Sequence, residues 1–184
     1  DTAYPPERVA PRFAEALGAT LTPENAPVFF RMMNRAMADL EALVDPVKRP
    51  VDRGGRVRPF VAYPRPEICG PLYPGIEATG SYPSTHAALG WMWGAVLAEM
   101  APDRADALIA RGLQYGESRI VCGYHYPSDV AAGRIAAAAL VARLHADPQF
   151  LADFRKAKAE VDAVRGMRRP PFDFRLPRLF GPRT

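Results

Sequence analysis

Thr22-Pro23-Glu24-Asn25-Ala26-Pro27-Val28-Phe29-Phe30-Arg31-Met32-Met33-Asn34-Arg35-Ala36-Met37-Ala38-Asp39-Leu40-Glu41-Ala42-Leu43-Val44 is the stretch whose reading decides the fold. A Thr suited to capping, a Pro at the first helical position and an early Glu mark a helix start. Val28, Phe29, Met32, Met33, Ala36, Leu40 and Leu43 then recur three and four residues apart, the period of one apolar helix face. The expectation is a helix from this start to about Val47, with that stripe in the core.

Outward from it the pattern repeats. Glu7 to Leu17 is a short amphipathic segment ending at Gly18, a natural C-terminal cap. Ser84 caps a helix that runs through Ala87, Leu89, Trp91, Val96 and Leu97 to about Met100. A further helix spans about Asp103 to Val121. The next starts near Ser128 and carries Val130, Ile135, Ala136, Ala139, Leu140 and Leu144, its alanines permitting close approach of a neighbour. Asp147-Pro148 opens a last, more polar helix to about Val164. No stretch alternates with the period of a strand. The fold class is therefore all-α, a helical bundle in one domain over residues 1–184, a length that suits one core. The core covers about 23–164, and a Pro- and Arg-rich arm covers 165–184.

Between the helices, Arg49 to Tyr82 is rich in Pro and Gly without a clean period and reads as one long structured loop. Loops of that length inside a compact domain usually carry function. Apolar residues make up 48% and charged residues 24% of the chain, which places it with folded rather than disordered sequences. The net charge of +4 is spread out, without the stripe of a nucleic-acid binder, so no nucleic-acid partner is expected. Two basic clusters stand out: Lys48 to Arg58, which suits an anionic substrate, and the solvated tail from Arg165 to Arg183. The best apolar run, Ile135 to Leu144, is far short of the roughly 20 residues of a membrane helix, so no membrane insertion is expected. The sequence opens on Asp1, and a leader already removed is the expectation. Cys69 and Cys122 form one bridge or stand as two separate thiols; their spacing does not choose.

Three stretches carry chemistry. In Ser81-Tyr82-Pro83-Ser84-Thr85-His86 a helix starts, and its first-turn amides lack intrahelical partners. A hydroxyl, such free amides and an imidazole together can bind phosphate, with the imidazole delivering a proton to a leaving oxygen. In Ser118-Arg119-Ile120-Val121-Cys122-Gly123-Tyr124-His125-Tyr126-Pro127-Ser128-Asp129, the carboxylate of Asp129 lies four residues from His125 and reaches its ring across one turn. An Asp holding one ring nitrogen fixes the tautomer and leaves the other to attack. Arg119 offers a planar fork for phosphate oxygens. The third stretch is the basic loop Lys48-Arg49-Pro50-Val51-Asp52-Arg53-Gly54-Gly55-Arg56-Val57-Arg58-Pro59. Taken singly, each has a plain alternative: Ser84 as a cap, Asp129 as a helix-start residue, the arginines as solvated charge.

Together they resemble the bacterial class A non-specific acid phosphatases, of the type 2 phosphatidic acid phosphatase superfamily that also holds the vanadium haloperoxidases. That signature is Lys, six residues, Arg-Pro; Pro-Ser-Gly-His; and Ser-Arg, five residues, His, three residues, Asp. The third part is matched in full at Ser118, Arg119, His125 and Asp129. The second is matched at Pro83, Ser84 and His86, with Thr85 in place of Gly. The first is matched at Arg58-Pro59, but Val51 stands where the Lys belongs. Further likeness at Gly80-Ser81-Tyr82, Gly90-Trp91, Leu97-Ala98-Glu99 and Leu144-His145 to Glu160 extends it over about Pro23 to Val164.

The resemblance implies His125 as nucleophile, Asp129 as its orienter and His86 as general acid. Arg58, Arg119, Ser84 and the Thr85 backbone N–H would cradle the phosphate oxygens. Lys48, displaced by three inserted residues, is the favoured source of the missing ammonium, with Arg53 or Arg56 as alternatives. His145 falls outside the site. No metal or other cofactor is implied. The partner is a small phosphate ester, hydrolysed with an acidic optimum, with phosphate transfer to alcohols as a further activity. Export to the periplasm or medium is implied as well, consistent with a Cys69–Cys122 bridge, while a homo-oligomer, dimer or higher, is left open by the sequence. A substrate-covering N-terminal segment is expected to be lacking. The rival readings are a vanadium haloperoxidase with His125 as vanadate ligand, a lipid or isoprenoid-pyrophosphate phosphatase, and a binding module without turnover.

Overall fold

In the computed structural model, which describes residues 5–63, 68–70 and 72–166, the helices run α1 (Pro6–Val9), α2 (Ala14–Leu17), α3 (Pro27–Val44), α4 (Pro59–Ala62), α5 (Thr85–Met100), α6 (Ala105–Val121), α7 (Pro127–His145) and α8 (Pro148–Val164). Among the described residues there is no strand, and the one β-type pairing is an isolated bridge between Pro50 and Thr79. The all-α expectation holds.

Helix α5 is apolar on nearly every side, and such a helix is stable only when surrounded. It lies inside the bundle against α6 and α7, with α3 and α8 also touching it. Gly90 of α5 and Gly112 of α6 bring two backbones together: a Cβ on either would stand 2.6 or 2.5 Å from the other's carbonyl oxygen. Trp93, fully buried on α5, stacks on Phe13 at 5.8 Å and meets Phe29 edge-on at 5.5 Å, which ties the N-terminal segment and α3 to the same core.

Several boundaries differ from the sequence expectation. The segment at 7–17 is broken: Pro11 stands in a 3-10 turn, Ala10–Arg12, that separates α1 from α2, because proline removes a donor and disfavours the α region in the residue before it. Gly18 closes α2 with φ +73° as expected. The long helix starts at Pro27, not Pro23. Thr22 and Asn25 instead satisfy each other, Thr22 N–H donating to Asn25 Oδ1 at 2.8 Å and Asn25 N–H to Thr22 Oγ at 3.3 Å. Ala26, before a proline, stays non-helical at φ −143°. The first amides of α3 are capped from across the bundle, Val28 and Phe29 donating to Glu160 of α8 at 3.0 and 2.9 Å. Leu43 and Ile135, both taken as apolar face residues, are exposed at 43% and 71%, while Phe30, Met37 and Val44 fill the α3 stripe.

The long loop holds α4 and two 3-10 turns, Val51–Arg53 and Ile76–Ala78. Its two ends are sewn together where Gly80 N–H donates to Arg49 O at 3.1 Å and Ser81 N–H to Arg56 O at 2.8 Å. Cys69 and Cys122 are joined in a disulfide, so the loop is fastened to the end of α6. Of the C-terminal arm, Arg165 pairs with Asp103, and 167–184 lie outside the described residues.

Gly133 of α7 sets the approach to the start of α5, since a Cβ there would stand 2.3 Å from Ser84 O and 3.2 Å from Ala88 N. Gly133→Val is therefore expected to force the two helix starts apart. The overpacking costs about 1–3 kcal/mol, seen as a fall in Tm of roughly 2–4 °C for each kcal/mol.

Candidate active site

Three helix ends converge at one place. Gly123, at φ +72°, turns the chain out of α6, and Arg119 O then receives the N–H groups of Tyr124 and His125 at 2.9 and 3.2 Å. Tyr126 caps α7, Pro127 takes its first position, and Tyr126 N–H donates to Asp129 Oδ2 at 2.9 Å. That fold-back aims Asp129 at His125. Its Oδ2 lies 3.5 Å from His125 Nδ1, a stretched contact, and no closer partner meets that nitrogen among the described residues. Both side chains are buried, His125 at 4% and Asp129 at 0% exposure. Helix α5 is welded on by Ser84 N–H, which donates to Asp129 O at 3.0 Å. Ser84 is the N-cap, its Oγ accepting from Ala87 N–H at 3.3 Å. Thr85 opens α5 and is buried; His86 follows, half-buried and stacked on Tyr115 at 6.2 Å.

The basic loop supplies the cations. Arg58 is buried, its Nε donating to the carbonyls of Ile76 and Thr79 at 3.1 Å and its Nη2 to Thr79 Oγ1 at 2.9 Å. Nη1 approaches Tyr124 O at 3.3 Å and His125 Nε2 at 3.4 Å. Arg119 lies over the Tyr124 ring at 4.1 Å, with a buried Nε that makes no hydrogen bond among the described residues. Lys48, just past α3, is partly buried and within electrostatic reach of Arg58, His86, His125 and Asp129.

The two arginine alternatives go elsewhere. Arg53 is exposed at the end of a 3-10 turn. Arg56 bonds Asp129 Oδ1 at 2.8 Å and Ser128 Oγ at 2.7 Å, its guanidinium 4.0 Å above the Tyr126 ring. His145 lies apart, with Nδ1 at Val141 O and Nε2 at Glu99, both 2.8 Å away.

Electrostatics follow from burial and excess positive charge. Burial, reinforced by Arg58, pushes Lys48 down to about 8. Burial lowers His125 to about 4, with Arg58 and Lys48 adding to the fall and Asp129 opposing it. His86 is held well below the usual histidine range by burial, then by Arg119, His125, Lys48 and Arg58. Burial alone would raise Asp129, but His125, Tyr126 N–H, Ser81 and Arg56 outweigh it and keep the carboxylate ionised. With Asp129 already matched by Arg56, three cations face two neutral imidazoles. Such a site is built for an anion.

Sequence reasoning missed the roles of Tyr115, Tyr124 and Tyr126 as ring platforms and of Arg56 as the partner of Asp129. Tyr124 and Tyr126 flank His125 in sequence, a signal that was there to read. Tyr115 and Arg56 come from distant stretches that only the packing brings in.

A helical domain with a buried His–Asp pair, a second histidine and a ring of cations defines a class of anion-handling enzyme sites. Residues 41–152 match the PAP2 superfamily, and the chain belongs to that family. It is 37% identical over 152 residues to a non-specific acid phosphatase of Providencia stuartii, covering 83% of this chain and 60% of that protein. It is 37% identical over 161 residues to an acid phosphatase of Zymomonas mobilis, covering 88% and 60%. To a non-specific acid phosphatase of Salmonella typhimurium it is 35% identical over 159 residues, covering 85% and 62%. The chain thus spans about three fifths of the length of these curated relatives. No helix among the described residues is long and apolar enough to cross a membrane.

Proposed function

We propose that this protein hydrolyses small phosphate monoesters through a phosphohistidine on His125. The observation that carries the reading is the unbalanced charge: Lys48, Arg58 and Arg119 surround His86 and His125, and the Asp129 carboxylate beside His125 is already paired with Arg56. A phosphate group neutralises that excess, and Arg119 Nε gains an acceptor. His125 Nε2, with Nδ1 turned to Asp129, attacks phosphorus, and the P–O bond to the alcohol breaks as a proton passes from His86 to the leaving oxygen. His86 then takes a proton from water, whose oxygen attacks phosphorus and releases orthophosphate and His125. The Thr85 backbone N–H and Ser84 stand at the helix start where equatorial oxygens would rest. Similarity to acid phosphatases supports the same substrate class. Phosphate transfer to alcohols, with an alcohol in place of water, follows from the same intermediate. Export to the periplasm or medium is part of this proposal, as the disulfide suits an oxidising compartment. The test is release of para-nitrophenol from its phosphate, with vanadate as inhibitor, and trapping of an acid-labile, base-stable phosphoprotein. No turnover and no trapped phosphate would refute it.

The pH dependence has a definite sign. His86 must carry a proton to act, and its own environment strips that proton in the free protein. Bound phosphate offsets the cations, so activity is expected to be highest on the acid side and to fall above about pH 6–7. Stability runs the other way. His125 at about 4 in the fold titrates near 6.5 when unfolded, so the unfolded chain binds more protons below 6.5. Stability is retained above about pH 6.5 and falls by on the order of a few kcal/mol toward pH 4. Thermal melts across this range should show Tm dropping with pH, and orthophosphate restoring part of the loss.

A further inference from the structure

Asp129 uses its two oxygens for different ends. Oδ2 takes Tyr126 N–H and faces His125; Oδ1 is taken by Arg56 at 2.8 Å. The 3.5 Å gap between Oδ2 and Nδ1 means that the carboxylate's orientation is not set by the histidine itself. It is set by Tyr126 N–H on Oδ2 and, from behind, by Arg56 on Oδ1. The same Nη1 of Arg56 is shared with Ser128 Oγ at 2.7 Å, the guanidinium rests 4.0 Å over the Tyr126 ring, and Arg56 O receives Ser81 N–H at 2.8 Å. Backbone, ring and hydroxyl thus fix the arginine that fixes the carboxylate. The Arg56 side chain is 41% exposed while Asp129 is fully buried, so the arginine reaches in from the surface. Resting on the reaction proposed above, we infer that Arg56 is a positioning residue: it holds Asp129 in the one rotation that presents Oδ2 to His125, and acts on the nucleophile without touching the substrate.

A cation that bound phosphate would behave differently, and kinetics separate the two. In Arg56→Gln, kcat for para-nitrophenyl phosphate is expected to fall about 10- to 100-fold while KM and the inhibition constant of orthophosphate stay within about threefold. Combined with Asp129→Asn, which removes the group Arg56 acts on, Arg56→Gln should add less than about twofold. Removing the guanidinium leaves Asp129 a stronger pull on His125, against Arg58, Lys48 and His86, which bear on the ring from the other elements and are unchanged. The acid limb of kcat/KM should therefore move to higher pH. A merely structural residue would not shift that limb. Arg56→Lys, which keeps the charge but not the planar fork, should recover part of kcat, and it carries the comparison if Arg56→Gln does not fold. A tenfold rise in KM and in the orthophosphate constant at unchanged kcat, or full additivity in the double variant, would overturn the inference. Should the wild-type protein turn over no phosphomonoester, the reaction proposed above fails. The inference is then judged by the NMR titration of His125, expected to shift upward in Arg56→Gln and refuting it if unmoved.

Discussion

His125→Ala is expected to lower kcat for para-nitrophenyl phosphate by about 10⁴-fold or more and to abolish the trapped phosphoprotein. The size follows from the proposed role, in which Nε2 carries the covalent intermediate and its loss leaves water to attack phosphorus directly. Binding should survive, because Lys48, Arg58 and Arg119 remain, so vanadate and orthophosphate should still raise Tm. A second readout separates chemistry from folding. His125 is buried and neutral at a cost that grows as pH falls. Removing it should flatten the acid-side loss of stability even while it leaves a cavity. Retained turnover in this variant would remove His125 from the mechanism.

How much of this was legible beforehand depends on the range of the interactions involved. Ser84 capping α5, Asp147 capping α8 and Gly18 closing α2 were readable, because each acts on residues within one turn of itself. The order Arg58, Ser84, His86, Arg119, His125, Asp129 was readable too, as a spacing and a resemblance. The start of α3 was not. Its amides are capped by Glu160, more than a hundred residues away, so the local signal at Thr22–Asn25 pointed to the wrong turn. Leu43 and Ile135 fit a helical period yet face out, since a period says that a face exists and not which neighbour covers it. Arg56 presents the same difficulty within the site. One charge among five in a basic loop, it has no sequence mark that distinguishes a hold on Asp129 from a hold on phosphate. Lys48 was favoured for the missing ammonium by the resemblance, against a spacing three residues too long, and it lies within the field of both imidazoles.

Arg58 is where fold and chemistry meet, and its replacement should show both. Arg58→Ala would strip a donor from the carbonyls of Ile76, Thr79 and Gly80, from Thr79 Oγ1 and from Tyr124 O, and these groups lie in the loop and beside His125. Tyr124 O and Gly80 O take buried bonds from the guanidinium, and a buried acceptor left without a donor costs about 1–3 kcal/mol, so a loss of at least about 2 kcal/mol is expected, roughly 4–8 °C in Tm. The cation at 3.4 Å from His125 Nε2 disappears as well, where charge develops as the phosphoryl group is transferred. A further loss of about 10²- to 10³-fold in kcat/KM is expected at temperatures where the variant is folded. Arg58→Lys divides the two effects, because an ammonium can supply charge but cannot reproduce the fork that spans those acceptors. If Arg58→Lys restores activity yet melts as low as Arg58→Ala, the charge serves the phosphate and the fork serves the loop. If it restores neither, the geometry of the guanidinium matters to the phosphate as well, and Arg58 binds two oxygens rather than simply adding charge.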